Sequence, residues 1–410
     1  MQTVRGMRDL LPEKAMKKQK IIGICRSAFE KYGFEPLETP VVEEFELLAK
    51  KATGGEAIKE EIYYFKDKSE RELGLRFDLT VPTARVVASN PQLQKPFKRY
   101  QIGAVYRYDR PGASRYREFT QADIDIFGSI SVLCEFECMA IMKEVMEKLG
   151  SEFYIKINDK RLLEEIAVQA GVKKEQLKEC LRSLDKLDKI GEQEVVKELE
   201  GKGISTKILD ALKKGFEKYS KLESAKELNE LLGILKENEM EKYVKVDLSL
   251  ARGLEYYTGM VFELCSGNGP SIGGGGRYDE LIGMYGNQQV PAIGFSFGID
   301  RIMDLLDSEI SYEPSTRLFI ACIGNVQKEA LKLAQEARNG GINTEIDLML
   351  RSISKNLDYA NKKGIPFVAI LGENELKAGK IKVKGMKKGN EIEVSLKNFQ
   401  KEITEKIKAQ

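Results

Sequence analysis

Apolar side chains recur at helical spacing from residue 13 to residue 32 (Met16, Ile21, Ile22, Ile24, Cys25, Phe29), and Gly33 supplies a stop. Thr39-Pro40-Val41-Val42-Glu43 reads as an extended lead into a second helix ending near Gly54-Gly55. Over residues 62–128 the period shortens. Residues 63–65, 72–77, 98–108 and 119–127 alternate, parted by turn residues such as Arg110-Pro111-Gly112. That pattern predicts an antiparallel sheet. Helical spacing returns over residues 131–149.

Residues 159–243 differ in texture. They are dense in Lys, Glu and Leu, contain no proline, and are broken only by single glycines (Gly171, Gly191, Gly201, Gly203, Gly215, Gly233). Runs such as 174–187 and 204–216 are amphipathic, which predicts a helical insertion of about four or five helices. Sheet patterning resumes over 244–250 and 261–264. The simplest architecture is a core sheet from residues 1–158 and 244–306, split by the insertion 159–243. Residues 307–316, with Ser308, Ser311, Pro314 and Ser315, read as a linker. Beyond it, strands at 318–323, 344–348 and 367–371 alternate with helices at 326–338 and 353–363. A hairpin across 380–394 and a last helix follow. Residues 317–410 therefore read as an α/β domain with a mixed sheet. The fold class is α+β, an antiparallel sheet core flanked by helices with this second domain appended.

The 410 residues suit about two or three domains. A net charge of +2 gives no global basic field, so a nucleic-acid partner needs a local patch. No apolar run approaches the ~20 residues of a membrane span, and residues 1–10 lack the apolar centre of a signal peptide. The cytoplasm is the expected compartment, with no membrane partner. Six cysteines are scattered, without a C-x-x-C pair, and are expected to be buried thiols. Cys134 and Cys138 are four apart on a predicted helix and share a face.

There is no histidine. That excludes a Ser-His-Asp triad, a Cys-His nucleophile and imidazole metal ligands. What remains is positioning, charge stabilisation, and chemistry by carboxylate, lysine or tyrosine, which suits phosphoryl and nucleotidyl transfer.

Four blocks carry candidate chemistry. In Arg107-Tyr108-Asp109-Arg110-Pro111 and Arg115-Tyr116-Arg117-Glu118-Phe119-Thr120-Gln121-Ala122-Asp123-Ile124-Asp125, strand alternation points Arg107 and Asp109 the same way. It also puts Phe119, Gln121, Asp123 and Asp125 on one face. Such a face is a poor core wall and suits a polyphosphate nucleotide with an amino acid. The plain alternative is a solvated hairpin with surface ion pairs, which contribute little. In Leu250-Ala251-Arg252-Gly253-Leu254-Glu255-Tyr256-Tyr257-Thr258-Gly259, one arginine and two tyrosines stand among glycines, a setting for a small anion. Ser271-Ile272-Gly273-Gly274-Gly275-Gly276-Arg277-Tyr278-Asp279 alone reads as a flexible turn. Pro291-Ala292-Ile293-Gly294-Phe295-Ser296-Phe297-Gly298-Ile299-Asp300-Arg301 reads as a strand running into a helix.

Together these blocks resemble the histidyl-tRNA synthetases. Residues 250–259 and 271–279 resemble that family's two histidine signatures. Residues 107–125 and 291–301 resemble motifs 2 and 3 of class II aminoacyl-tRNA synthetases, and residues 13–43 with Pro40 loosely resemble motif 1, the dimer element. The resemblance implies roles. Arg107 would bind the ATP α-phosphate, Asp109 (Glu in many relatives) would face the adenine edge, and Arg115 would reach the outer phosphates. Phe119 and Arg301 would sandwich the adenine. Asp78 (again Glu in many relatives), Thr80 and Gln121 would grip the ammonium group. Asp125 and Tyr257 would bracket the imidazole, with Tyr256 beside them, Gly273 to Gly276 as a wall and Tyr278 closing the pocket. Arg252 would contact the substrate carboxylate and the α-phosphate and, with Arg107, stabilise the adenylation transition state. One departure is visible: the family often has glycine before the arginine matched by Arg115, and here Ser114 stands there, with Gly112 two residues earlier.

The implied activity is ATP-dependent attachment of L-histidine to tRNA(His) through a histidyl-adenylate, releasing AMP and pyrophosphate. Mg²⁺ would bridge the outer phosphates without protein metal ligands. With no histidine side chain, a phosphate oxygen of the adenylate is left as base in the second step. A homodimer through the motif 1 region is implied. Residues 345–347 and 351–355 resemble the family's anticodon-binding domain. Lys380, Lys382, Lys384, Lys387 and Lys388 form a basic run that could position RNA through phosphate contacts; the plain alternative, and the better reading of any single lysine there, is a solvated hairpin. Two rivals stay open. One is an idle paralogue of the kind that partners ATP phosphoribosyltransferase, which typically loses the arginine signature and the anticodon domain. The other is a class II synthetase for another amino acid.

Overall fold

The computed structural model describes residues 1–51, 61–112, 114–251, 256–267, 269–387 and 389–408. These fall into two compact units, Met1–Ile310 and Ser311–Gln410.

In the first unit the described strands are, in chain order, β1 (Glu35–Pro36), β2 (Val42–Glu44), β3 (Tyr64–Lys66), β4 (Glu72–Leu75), β5 (Phe97–Tyr106), β6 (Glu118–Phe127), β7 (Phe153–Asp159), β8 (Val244–Val246), β9 (Met260–Ser266), β10 (Ser271–Arg277) and β11 (Ala292–Gly298). Among the described residues, eight of them form one sheet in the order β1-β5-β6-β11-β10-β9-β7-β8. The interior pairs are antiparallel, and the edge pairs β1 with β5 and β7 with β8 are parallel. β2, β4 and β3 form a small separate antiparallel sheet.

Period-two alternation gives the large sheet two unlike faces. On one, Tyr100, Ile124, Ile126, Ile293, Phe295, Phe297 and Phe262 join the main core with Ile21, Cys25 and Phe29 of helix Pro12–Lys31 and with Met139 and Met142 of helix Leu133–Leu149. Phe29 stacks on Phe297, with ring centroids 6.1 Å apart. Each large apolar side chain buried there contributes about 1.5–3 kcal/mol, an upper figure set against an extended chain. Pro12 opens the first helix, where its missing N–H costs nothing, and Gly33 stops it with φ of +76°. The other face carries Arg99, Gln101 and Gly103 of β5, Gln121, Asp123 and Asp125 of β6, Gly294, Ser296 and Gly298 of β11, and Gly274 and Gly276 of β10.

The structure refines several expectations. The span read as all sheet contains a helix, Thr80–Ser89. Thr80-Val81-Pro82-Thr83 looks extended by composition, but Pro82 sits in the first turn, where no N–H is needed. Asp78 Oδ1 accepts the Val81 N–H at 2.9 Å and so caps that turn. Between β7 and β8 there are six described α-helical segments: Lys160–Gln169, Leu177–Leu184, Leu187–Ile190, Glu192–Gly201, Lys207–Leu212 and Lys226–Glu237. The expectation was about four or five; the shortest of the six, Leu187–Ile190, is a single turn.

In the second unit, β12 (Leu318–Cys322), β13 (Thr344–Ile346), β14 (Phe367–Leu371), β15 (Lys380–Gly385) and β16 (Glu391–Ser395) pair in the order β13-β12-β14-β15-β16. The first three are parallel and the last two antiparallel, a mixed sheet as the pattern predicts. β13 stops at Ile346, two residues short of the expected end. Asp347 takes the N–H groups of Met349 (3.0 Å) and Arg351 (2.7 Å) and the amide of Asn356 (2.8 Å), which turns the chain away. A short helix, Glu373–Ala378, precedes the expected hairpin. All six cysteines are buried. Burial pushes the Cys25 thiol up to about 12, so it stays protonated. No described helix is long and apolar enough to cross a membrane.

Candidate active site

The polar face of the large sheet is floored by glycine for a steric reason. A β-carbon on Gly294 would collide with Asp125 Oδ1, and one on Gly276 would come within 2.9 Å of the Tyr257 ring. Gly276 pairs with Gly294, and Gly294 with Asp125. The Asp125 carboxylate and the Tyr257 ring therefore lie on bare main chain one strand apart, about 4.8 Å.

Asp125 is held from behind. Its Oδ2 pairs with Arg99 Nη2 and its Oδ1 accepts the Tyr278 hydroxyl. Arg99 is 0% exposed, and Asp125 and Tyr278 are each 2% exposed. Each carboxylate oxygen has two lone pairs, so both contacts leave acceptor capacity. Tyr256 lies against Tyr257 (ring centroids 4.2 Å apart) and near Tyr278 (6.1 Å). Burial pushes the hydroxyls of Tyr256 and Tyr278 well above the ordinary phenol range, and neighbouring carboxylates push the same way. Both stay neutral and able to donate.

Asp123 stands between Gln101 and Ser296 across the two flanking strands. Burial raises its carboxyl to about 7, against the pull of Arg99. Gln121 donates to Ser296 Oγ at 2.7 Å. Asp78, also buried, caps helix Thr80–Ser89, whose first residue is Thr80. The carboxylates of Asp78, Asp125 and Asp123 add to burial in pushing the Tyr256 hydroxyl up.

At the other end, Arg107 Nε donates to the Phe77 carbonyl at 3.0 Å, and its guanidinium lies 5.2 Å from the centre of the Phe119 ring. Asp109 and Arg115 are paired with each other, Nη2 to Oδ2 at 2.8 Å and Nε at 3.1 Å. Within the turn they close, Ser114 has φ of +52°, a left-handed backbone that glycine adopts more readily than serine. Arg301 Nη1 donates to the Ser271 carbonyl at 3.2 Å. Its helix is pinned to β6 by Asp300, which accepts the Thr120 N–H at 2.6 Å and also meets Arg8 (2.9 Å) and Lys18 (3.1 Å).

Of the expected site residues, Asp78, Gln121, Asp125, Tyr256, Tyr257 and Tyr278 come together around the glycine floor. Arg107, Asp109, Arg115 and Phe119 gather at the β5–β6 end. Arg252 lies outside the described residues. Arg99 and Ser296 were given no role by sequence reasoning, and Asp123 was only placed on the face. Alternation in Arg99-Tyr100-Gln101-Ile102-Gly103 was the available signal for Arg99. A cavity of about 210 Å³ beside this cluster is lined by Lys160, Arg161, Glu164, Tyr256 and Tyr257, among others, and Lys160 Nζ donates to the Tyr257 carbonyl at 2.9 Å. No described cluster of three or more acidic or cysteine side chains is placed to hold a metal ion.

Comparison with known proteins bears on this arrangement. A family model described as histidyl-tRNA synthetase matches residues 6–302, and one described as an anticodon binding domain matches residues 317–406. The chain is 37% identical over 420 residues to histidine–tRNA ligase 1 of Bacillus cereus, spanning 97% of this chain and 98% of that one. It is 38% identical over 416 residues to histidine–tRNA ligase 2 of Shouchella clausii, spanning 96% and 98%. A crystal structure of histidyl-tRNA synthetase from a Nostoc species superposes with a TM-score of 0.84 at 31% identity, covering 100% of this chain and 99% of the other.

Proposed function

The chain belongs to the histidyl-tRNA synthetase family, and on that premise we propose how its cleft works. It charges tRNA(His) with L-histidine at the expense of ATP, through the adenylate route general to class II enzymes. The observation that carries the site reading is the seating of Asp125 and Tyr257 on adjoining glycines, with Tyr278 and Arg99 behind Asp125.

In this reading the imidazole lies between Asp125 and Tyr257, where a carboxylate acceptor and a neutral hydroxyl face its two nitrogens. A ring lacking those nitrogens leaves buried polar groups unpaired, which costs about 10⁴- to 10⁵-fold in selectivity. Asp78, Thr80 and Gln121 hold the ammonium group. The histidine carboxylate then attacks the α-phosphorus of ATP, forming the mixed anhydride and expelling pyrophosphate. Arg107 and Arg252 offset the charge that builds on the α-phosphoryl oxygens, a preorganised stabilisation. Phe119 and Arg301 take the adenine, and the Asp109–Arg115 pair parts so that each meets the nucleotide. Mg²⁺, a hard cation that prefers oxygen ligands, would be taken up with the polyphosphate of ATP and would offset its charge. In the second step the terminal ribose hydroxyl of tRNA attacks the adenylate carbonyl and AMP leaves.

Residues 159–243 are assigned to the acceptor arm and 317–410 to the anticodon. Residues 1–158 and 244–306 form the catalytic core and 307–316 the linker. The 13–43 region is assigned to self-association, and the cytoplasm is the compartment. Light scattering on the purified chain tests the dimer. Pyrophosphate exchange with each amino acid in turn tests the activity. Exchange with histidine alone is expected. No exchange identifies an idle paralogue, and exchange with another amino acid identifies a different synthetase.

A further inference from the structure

Arg99 is so far only a group behind Asp125, yet it is a wholly buried cation at the back of the cleft. Burying a guanidinium is costly unless its charge and hydrogen bonds are used. It stands directly across from Asp125 on the paired strands β5 and β6. Its Nη2 pairs with Asp125 Oδ2 and also donates to the main-chain oxygen of Leu79 at 3.3 Å. Leu79 lies between Asp78 and Thr80. One nitrogen thus links the carboxylate assigned to the ring with the segment assigned to the ammonium group. Nε and Nη1 have no hydrogen-bond partner among the described residues, so the hydrogen bonds that fix the fork come from Nη2.

We infer that Arg99 is a positioning residue for the amino-acid substrate: it sets the spacing between Asp125 and the Asp78-Leu79-Thr80 segment, and so between the sites for the ring and for the ammonium group. The inference rests on the assignment of those two sites to histidine. Arg99 itself touches neither substrate nor ATP. Its effect is on how well one rotamer of the amino acid, which sets the distance between ring and ammonium, fits both ends at once.

The test is steady-state pyrophosphate exchange with Arg99→Lys, Arg99→Met and Asp125→Ala. Lysine keeps the charge and can pair with Asp125, but it lacks the planar fork that presents Nη2 to both partners. Arg99→Lys is expected to raise KM for histidine about 10-fold, as for one hydrogen bond to a charged group, and Arg99→Met about 100-fold. The expected kcat and KM for ATP stay within about twofold of wild type. A residue that only supports the fold would move the ATP parameters and kcat together with KM for histidine, and that result overturns the inference. So does an unchanged KM for histidine in Arg99→Lys, the variant best able to fold. Asp125→Ala separates two failures. If it leaves KM for histidine alone, the pocket assignment is wrong. If it raises that KM while both Arg99 variants do not, the pocket stands and only the role of Arg99 falls.

Discussion

Asp125 rests its carboxylate on the spot where a side chain at Gly294 would begin, and the two residues are direct partners across β6 and β11. Gly294→Ala must therefore push Asp125 aside. Overpacking of this kind typically costs about 1–3 kcal/mol, or about 10- to 100-fold in KM for histidine. KM for ATP should hold. Exchange kinetics check both, and an unaltered histidine KM would show that Asp125 is not where the ring binds.

Ser114 takes a left-handed backbone in the turn closed by Asp109 and Arg115. For a residue with a β-carbon that conformation costs about 1–2 kcal/mol, of which glycine's extra freedom in the unfolded chain returns roughly half. Ser114→Gly should raise stability by up to about 1 kcal/mol in urea titration while leaving KM for ATP within twofold, roughly the resolution of such kinetics. A loss of stability would mean that the serine side chain makes a contact worth more than the strain.

Asp123 gives the cleft a pH dependence. Its carboxyl titrates at about 7 in the folded chain against an ordinary value of 3.8, chiefly because it is buried. Between those values the folded chain holds a proton that the unfolded chain has released. The stabilisation is full below 3.8 and is lost as pH rises through about 7. Asp123→Asn removes the ionisation. Its melting temperature relative to wild type should climb from pH 5 to pH 8, followed by thermal unfolding at each pH. A constant difference would refute the assignment.

Arg252→Ala probes the chemical step. Losing one preorganised donor to a developing oxyanion typically costs about 10²- to 10³-fold in rate. Single-turnover adenylate formation should fall by that order while ATP affinity changes far less. A kcat near wild type would remove Arg252 from the reaction.

What the sequence disclosed, and what it withheld, follows from the range of the forces involved. The helix Pro12–Lys31 and the parallel trio β12, β13 and β14 were legible because local periodicity and flanking breakers specify them. The shared face of Gln121, Asp123 and Asp125 was legible because alternation within one strand is local. The helix Thr80–Ser89 was hidden by β-branched residues and a proline, and only the capping oxygen of Asp78 reveals why it forms. The pairing of Arg99 with Asp125 depends on the register between two strands. Alternation within β5 puts Arg99 on the polar face, but a slip of two residues would keep it there opposite a different partner, and no pattern within either strand records that choice.

The parallel pairing of β7 with β8 carries a last consequence. A tight hairpin cannot join parallel neighbours, which need a crossover of a dozen or more residues. The helices Lys160–Gln169 through Lys226–Glu237 are therefore the bridge by which the chain gets from one strand to the other. Evolution, or an engineer, could shorten that bridge or exchange it for another, but clipping it down to a reverse turn would cost the sheet its outermost strand.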